Sequence, residues 1–447
     1  MKMHDFVPMV SPLLKLKAAA AKNKTSEFTF AWERENGCCY RYTLPIAAGM
    51  ECDSETIRLA ERLVKFVLWS AGGWRLHISG PEAFCAAIER AYGEGGTRGF
   101  DRDMMFKTYG KPMEVCRCRA DEIPETRDSG KGTGISWKGC RIGFDLGASD
   151  FKIAAVEDGT VRFSEEFPWN PRHAEDPAYH FSKLNEGLQA AASHLPRVDA
   201  IGGSTAGIVV ANQMRFASLF RAVSPEKYAE AQNLFVNIEK QWHVPVQVEN
   251  DGDVTALAAY LTNGTKAVLG VAMGSSEAGG YLDRSGSITG RLNELAFAPV
   301  DFAADAPADE WSGDSGVGAM YFSQQATNYL AGCLGIEFPH AMELPERLVE
   351  VQKLMAADDS KAIHLYKRLG ENLGHSVVWY REFYDMDHLL ILGRVTSGKG
   401  GDLILATARE TVEKLYPDYT GVTISMPDEK AKRLGQAVAA AALCPHG

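Results

Sequence analysis

Apolar residues recur at two spacings along this chain, and the switches between them mark out its elements. Residues 29–32 and 40–44 read as strands on either side of Glu35-Asn36-Gly37, whose Asn-Gly step suits a tight hairpin. From Ser54, read as an N-cap, to about Ser70, the residues Ile57, Leu59, Leu63, Val67 and Leu68 fall near helical spacing, and Gly72-Gly73 ends the run. A strand over 74–78 and a helix over 81–92 follow. This alternation describes a small α/β or α+β module. A polar, glycine-rich run from Asp128 to Gly134 then punctuates the chain and marks a domain boundary.

Beyond it one plan occurs twice. Residues 141–146 form an apolar strand that breaks at Gly147-Ala148-Ser149, and 151–156 resume it before the turn at Asp158-Gly159. Later, 268–273 lead into Gly274-Ser275-Ser276, and a further strand over 281–283 turns at Gly286. Small residues at such tips let a phosphate approach backbone N–H groups, and two tips from two lobes can hold a polyphosphate between them. Between the two, a strand over 244–248 ends in Glu249-Asn250-Asp251, before a helix-forming stretch over 254–261. Asn250 and Asp251 thus stand where open α/β sheets place ligand groups. Residues 389–392 run into Gly393, and Gly398, Gly400 and Gly401 precede a helix from about 402, a strand–loop–helix suited to a nucleotide.

The 447 residues and 48.8 kDa fit two or three domains. We divide them into an N-terminal α/β or α+β accessory domain (1–135), a first lobe (140–262) and a second lobe (263–447). Charge follows that division. Residues 1–135 hold 20 basic and 18 acidic residues, leaving 27 and 40 for the rest and a net charge of −11. That balance argues against nucleic acid as a partner. No apolar run approaches the roughly 18 residues of a membrane span. Nine cysteines, an odd number over a long chain, point to reduced thiols and a cytoplasmic protein, and Lys15 and Lys17 interrupt any signal-peptide core. Cys116 and Cys118 lack further ligands at zinc spacing, and the histidines, among them His173, His180, His194, His375 and His388, have no metal spacing either. Trp379, Tyr380, Phe383 and Tyr384 read as core or an oligomer contact, and the acidic run 301–310 as a solvated loop.

The order of these pieces resembles the actin/hexokinase/Hsp70 superfamily and, more narrowly, the ROK family of sugar kinases and sugar-responsive repressors, over about residues 140–443. Ile142 to Ser149 is similar to the family's first phosphate motif, Val248-Glu249-Asn250-Asp251 to its V-E-N-D core, and Gly274 to Gly280 to its second phosphate motif. Ile201 to Gly207 stands where the family has I-G-x-x-x-P-G. Ile391 to Gly393 resembles the adenosine motif, and 435–442 the final helix. The resemblance implies a two-lobed actin-like ATPase fold, ribonuclease H-like, with an added N-terminal α/β domain.

The departures bear on function. In the family's sugar and zinc segment Glu294 is kept, but the His is Phe297 and the three cysteines are Glu310, Ser312 and Val317, so no zinc site is expected. Ala217-Ser218-Leu219 stands at the P-N-L sugar contact, and Ala148 at the second glycine of the first tip. Carried over residue by residue, the resemblance implies Asp251 as general base and Asn250, Glu294 and Ser218 as sugar contacts. It implies Asp145, Gly147, Ser149, Gly274, Ser275, Ser276 and Gly393 around ATP, with Asp145 holding Mg²⁺ through water. Lys152 reads as a strand residue snorkelling to solvent. The expected function is ATP- and Mg²⁺-dependent phosphorylation of a sugar hydroxyl, with polyphosphate as a variant donor, in a homodimer. The alternative is a sugar-binding sensor that no longer transfers phosphate.

Overall fold

In the computed structural model, which describes residues 3–128, 134–147, 150–427 and 435–444, the chain builds three main sheets. The first belongs to residues 3–128. Helix α1 (Val10–Ala20) precedes the antiparallel pair β1 (Thr25–Glu33) and β2 (Cys39–Ala47). Helices α2 (Ser54–Ala71), α3 (Glu82–Tyr92) and α4 (Gly99–Tyr109) then alternate with β3 (Arg75–Ser79) and β4 (Glu114–Arg117), in the strand order β2-β1-β3-β4. The β1–β2 hairpin turns at Asn36 and Gly37, with φ of 57° and 66°, as an Asn-Gly step permits. The cap of α2 is Asp53, not Ser54: its Oδ2 accepts the Thr56 N–H at 2.8 Å, and Ser54 is already helical.

The second sheet starts from the first phosphate-tip hairpin. After the short β5 (Gly134–Ile135) come β6 (Cys140–Leu146), β7 (Asp150–Glu157) and β8 (Thr160–Pro168), then α5 (Pro177–Ala192) and β9 (Ala200–Thr205). A small hairpin, β10 (Ile208–Val210) and β11 (Gln213–Phe216), and helices α6 (Tyr228–Gln232) and α7 (Leu234–Trp242) lead to β12 (Val246–Asn250). The order is β12-β9-β6-β7-β8, with β12, β9 and β6 parallel. Strand β6 is buried almost throughout, while β8 is mostly exposed. Arg162, Glu165 and Glu166 on β8 keep that open edge charged.

Helix α8 (Asp251–Asn263) crosses to the third sheet, which comprises β13 (Val268–Met273), β14 (Glu277–Leu282), β15 (His388–Leu392) and β16 (Thr423–Ser425) in the order β14-β13-β15-β16. Helices α9 (Gln324–Cys333), α10 (Leu344–Ala356) and α11 (Ser360–Arg381) lie between β14 and β15, and α12 (Lys399–Leu415) between β15 and β16. Gly400 and Gly401, expected in a loop, lie in the first turn of α12. Gly400 packs so closely under Tyr366 that a Cβ would stand 2.4 Å from the ring. The chain then returns to the second sheet through α13 (Gln436–Ala441) and β17 (Leu443–Cys444), which pairs with β5. A Cβ on Gly143 would stand 1.8 Å from the Ala437 carbonyl oxygen, and one on Gly202 1.7 Å from that of Ala440. These glycines let the α13 backbone lie directly on β6 and β9.

One hydrophobic core runs from residues 3–128 into the third sheet. It holds Phe66 and Trp69 of α2, Trp379 and Tyr380 of α11, and Leu269 and Val271 of β13, all 0–1% exposed. The rings of Phe66 and Phe383 lie 4.3 Å apart, so the aromatic group around Trp379 is core. The second sheet packs a separate core around Phe144, Ile201 and Phe235. The 301–310 run is not a solvated loop. Asp301 and Asp309 are each 2% exposed, because Asp301 accepts hydrogen bonds from Tyr321, His4 and the Val7 N–H, and Asp309 from Ser312.

Candidate active site

Two cavities border α8, one along Thr255, Ala258 and Ala259 and the other at Asn250 and Asp253. The larger, about 610 Å³, is lined by Asp145, Lys152, Thr255, Gly393, Gly398, Asp402 and Gln436, among others. The smaller, about 430 Å³, is lined by Asn250, Asp253 and Glu294, by Asn212, Arg215 and Gln247, and by Arg34 and Tyr109 from the N-terminal third of the chain.

The N-terminal turn of α8 is fixed by side chains and by a close backbone crossing. Asn250 is its N-cap: Oδ1 accepts the Gly252 N–H at 2.8 Å, and Nδ2 donates to the Gly207 carbonyl at 2.9 Å. Asp251 is therefore the first helical residue. The Asp253 carboxylate accepts the Tyr281 N–H at 2.8 Å and Asn293 Nδ2 at 3.0 Å. Gly252 and Gly280 allow the helix to lie against β14, for a Cβ on Gly280 would stand 2.0 Å from the Gly252 carbonyl carbon. Gln436 Nε2 donates to the Asp251 carbonyl at 3.1 Å and to Thr255 Oγ1 at 2.7 Å, tying α13 to α8.

Three carboxyl groups form a chain of electrostatic contacts through this region. Burial pushes the Asp251 carboxyl up to about 7, and the neighbouring Asp145 adds to the shift. Burial likewise raises Glu294 to about 7, with Asp251 contributing. Asp145 is raised by burial, against the opposing pull of Ser204 Oγ, which donates to its Oδ1 at 2.8 Å, and of Lys152. Asp145 lines the larger cavity and Glu294 the smaller; Asp251 lines neither but lies close enough to interact with both carboxyls. A carboxyl so poised can take a proton near neutral pH.

Other expected positions fall less centrally. Gly147 sits at the β6–β7 tip, where its N–H donates to the Asp150 carbonyl at 3.0 Å; Ala148 and Ser149 lie outside the described residues. Gly274 opens the β13–β14 turn, Ser275 and Ser276 are exposed there, and Gly393 (φ 102°) lies beside Met273 at the neighbouring strand end. Ser218 begins a short 3-10 turn and does not line the smaller cavity, whereas Arg215 does. The buried Arg215 Nε has no hydrogen-bond partner among the described residues.

Lys152, read as a strand residue snorkelling to solvent, is exposed, and its place opposite Asp145 in the β6–β7 register also puts it at the edge of the larger cavity. The hairpin register was the signal that could have found that second placement. Nothing local in the sequence signals Arg34 or Tyr109, which reach the smaller cavity through tertiary packing. Phe297 packs in an aromatic group with Trp69, Phe100 and Trp311, at ring distances of 4.5, 5.2 and 5.3 Å.

No protein-family model and no curated protein matches the sequence. Solved structures do. A ROK hexokinase from Thermus thermophilus is similar over 68% of this chain and 97% of its own, at 17% identity and a TM-score of 0.54. The fold is that of the ROK proteins. A ROK family transcriptional regulator, a homologue of the E. coli MLC protein, is similar over 72% of this chain and 82% of its own, with 18% identity and a TM-score of 0.53. A ROK family protein from Streptococcus pneumoniae in complex with sucrose gives 15% identity, 68% and 96% coverage and a TM-score of 0.50. About a third of this chain has no counterpart in the hexokinase or the sucrose-bound ROK protein. Among its described residues, no helix is long and apolar enough to cross a membrane.

Proposed function

We propose that this protein transfers a phosphoryl group from ATP in the larger cavity to a hydroxyl of a sugar in the smaller one. The position of Asp251 carries this reading. Its buried carboxyl interacts with both Asp145, which lines the larger cavity, and Glu294, which lines the smaller, polar one, and it is raised to about 7. An alcohol attacking a phosphoryl group must lose its proton as the new bond forms, and a carboxylate within reach accepts it. Glu294 and Arg215 orient the sugar, and Asn250 fixes Asp251 by capping the helix.

Asp145 would hold a divalent cation through water, since Mg²⁺ keeps most of its hydration shell and takes few protein ligands. Asp145 is buried, acidic and close enough to raise Asp251, so a cation there would relieve that repulsion. Mg²⁺ bound through water to Asp145 would neutralise charge on the β- and γ-phosphates. Lys152, in the same cavity, adds a positive charge. The likeness to a hexokinase supports the kinase reading, and the likeness to a regulator supports sugar sensing as the alternative.

ADP release with Mg-ATP against a panel of hexoses, amino sugars and polyols tests this, with Asp251→Asn as the control. Turnover with one sugar that falls at least about a hundredfold in the variant is the expected result. Sugar binding without turnover would leave the sensor.

A further inference from the structure

The segment 292–317, which brings Glu294 to the smaller cavity, is bonded at both ends to residues 3–128. The N–H groups of Leu292, Asn293 and Glu294 donate to the carbonyls of Ala71, Ser70 and Trp69 at 3.3, 3.0 and 3.0 Å. These are last-turn carbonyls of α2, which a helix end leaves without partners of its own. Further along, Met9 N–H donates to the Val300 carbonyl and Phe302 N–H to that of Val7.

At the far end Asp314 is held by three cations. Arg62, Arg98 and Lys65 approach its Oδ2 at 2.7, 2.9 and 3.0 Å, and a second Arg62 N–H donates to the Ser315 carbonyl at 2.6 Å. The Lys65 side chain is 1% exposed, those of Arg62 and Arg98 9%. Asp101 and Glu61 complete the charge balance through Lys65 and Arg98, so three cations meet three carboxylates. Burial pushes the Asp314 carboxyl up, but Lys65, Arg62 and Arg98 outweigh it and hold the group well below the usual carboxylate range. Removing one member of such a cluster strands a buried charge. The same N-terminal unit also walls the smaller cavity with Arg34, Asn36, Cys38 and Tyr109.

We propose that residues 3–128 are a working part of the acceptor site: the last carbonyls of α2 and the Arg62–Lys65–Arg98 cluster on Asp314 hold the segment that positions Glu294. The inference rests on the kinase reading for what the cavity holds, but its geometry stands independently. Arg62, Lys65, Arg98 and Asp314 are positioning residues, since they act through Glu294.

The test compares the full chain with Asp314→Asn, Arg62→Lys and the control Arg117→Ala, which breaks an exposed pair with Glu82 and Glu89 remote from the segment. Amide hydrogen exchange is followed by mass spectrometry, alongside KM for ATP and for the sugar turned over best in the ADP-release panel. In Asp314→Asn, amides 292–296 should exchange at least about tenfold faster while β6 and α12 keep their protection. The sugar KM should rise about tenfold, the KM for ATP should stay within about twofold, and kcat should change less than the sugar KM. Arg117→Ala should behave as wild type. If Asp314→Asn does not fold, Arg62→Lys carries the same test, because lysine cannot reach both Asp314 and Ser315. Unchanged exchange at 292–296, uniformly faster exchange over the whole chain, or an unchanged sugar KM in a folded variant overturns the inference. Absence of turnover with every sugar would sink the kinase reading while leaving the exchange result to decide this one.

Discussion

Asp251 carries two roles that pull against each other. Its native pKa of about 7 lies above the usual 3.8, so the folded protein holds a proton that the unfolded chain gives up. The stability this contributes is fully present below about pH 4 and is lost as pH rises through about 7. Activity needs the opposite state, an ionised base, so kcat should rise over about pH 6 to 8 with an apparent pKa near 7. Asp251→Asn should abolish that rise and flatten the loss of melting temperature between about pH 4 and 7. Glu277 offers a comparison outside the cavities. Burial raises it to about 8, and Tyr380 donates to one of its oxygens at 3.1 Å. Glu277→Gln keeps that acceptor and removes the charge, so its melting temperature should pull ahead of wild type as pH rises from about 5 to 8 and stay ahead above that. Arg215→Ala should raise the sugar KM by about tenfold, the value of a hydrogen bond from a charged group, and leave the KM for ATP unchanged. Asp251, Asn250 and Glu294 were legible in the sequence because each sits in a short motif with a fixed local context. Arg215 and the place of Lys152 at a cavity were not, because which way they face depends on strand register.

Secondary structure was legible wherever periodicity was strong. The strand expected over 268–273 is β13 (Val268–Met273), and that over 141–146 is β6 (Cys140–Leu146). The helix expected over 254–261 starts earlier, at Asp251, because its polar first turn carries no apolar signal. The acidic run 301–310 misled for a different reason. Charge count says nothing of partners, and Asp301 finds Tyr321 and His4 far away in sequence. The crossing of α8 and β14 is where elements set chemistry. Gly280→Ala would force the two backbones apart, costing about 1–3 kcal/mol as overpacking does. Because Asp251 rides on the displaced turn, kcat should fall further than the loss of stability alone explains, as denaturant unfolding alongside steady-state kinetics would show.

Across the whole molecule, the glycine-rich run after Asp128 marked a boundary in composition, yet the hydrophobic core passes straight across it. Phe66 and Trp69 share one cluster with Trp379 and Leu269, joining segments some 200 to 300 residues apart that no local pattern reports. Residues 3–128 and the third sheet should therefore unfold together in one calorimetric transition. Two well-separated transitions, with the first sheet melting alone, would contradict this.

The placement of α13 has a further consequence, for the order in which the chain can finish folding as it is made. Gly143 and Gly202 leave β6 and β9 open on one face, and the helix that covers them is written into residues 436–441. Arg141 bonds the carbonyls of Ala441 and Leu443. While a ribosome is still reading the third sheet, the second already has every strand but lacks its roof. An unroofed sheet of this kind is an aggregation hazard until the last stretch emerges, so a stalled or shortened nascent chain would carry that exposed face until it was shielded or degraded.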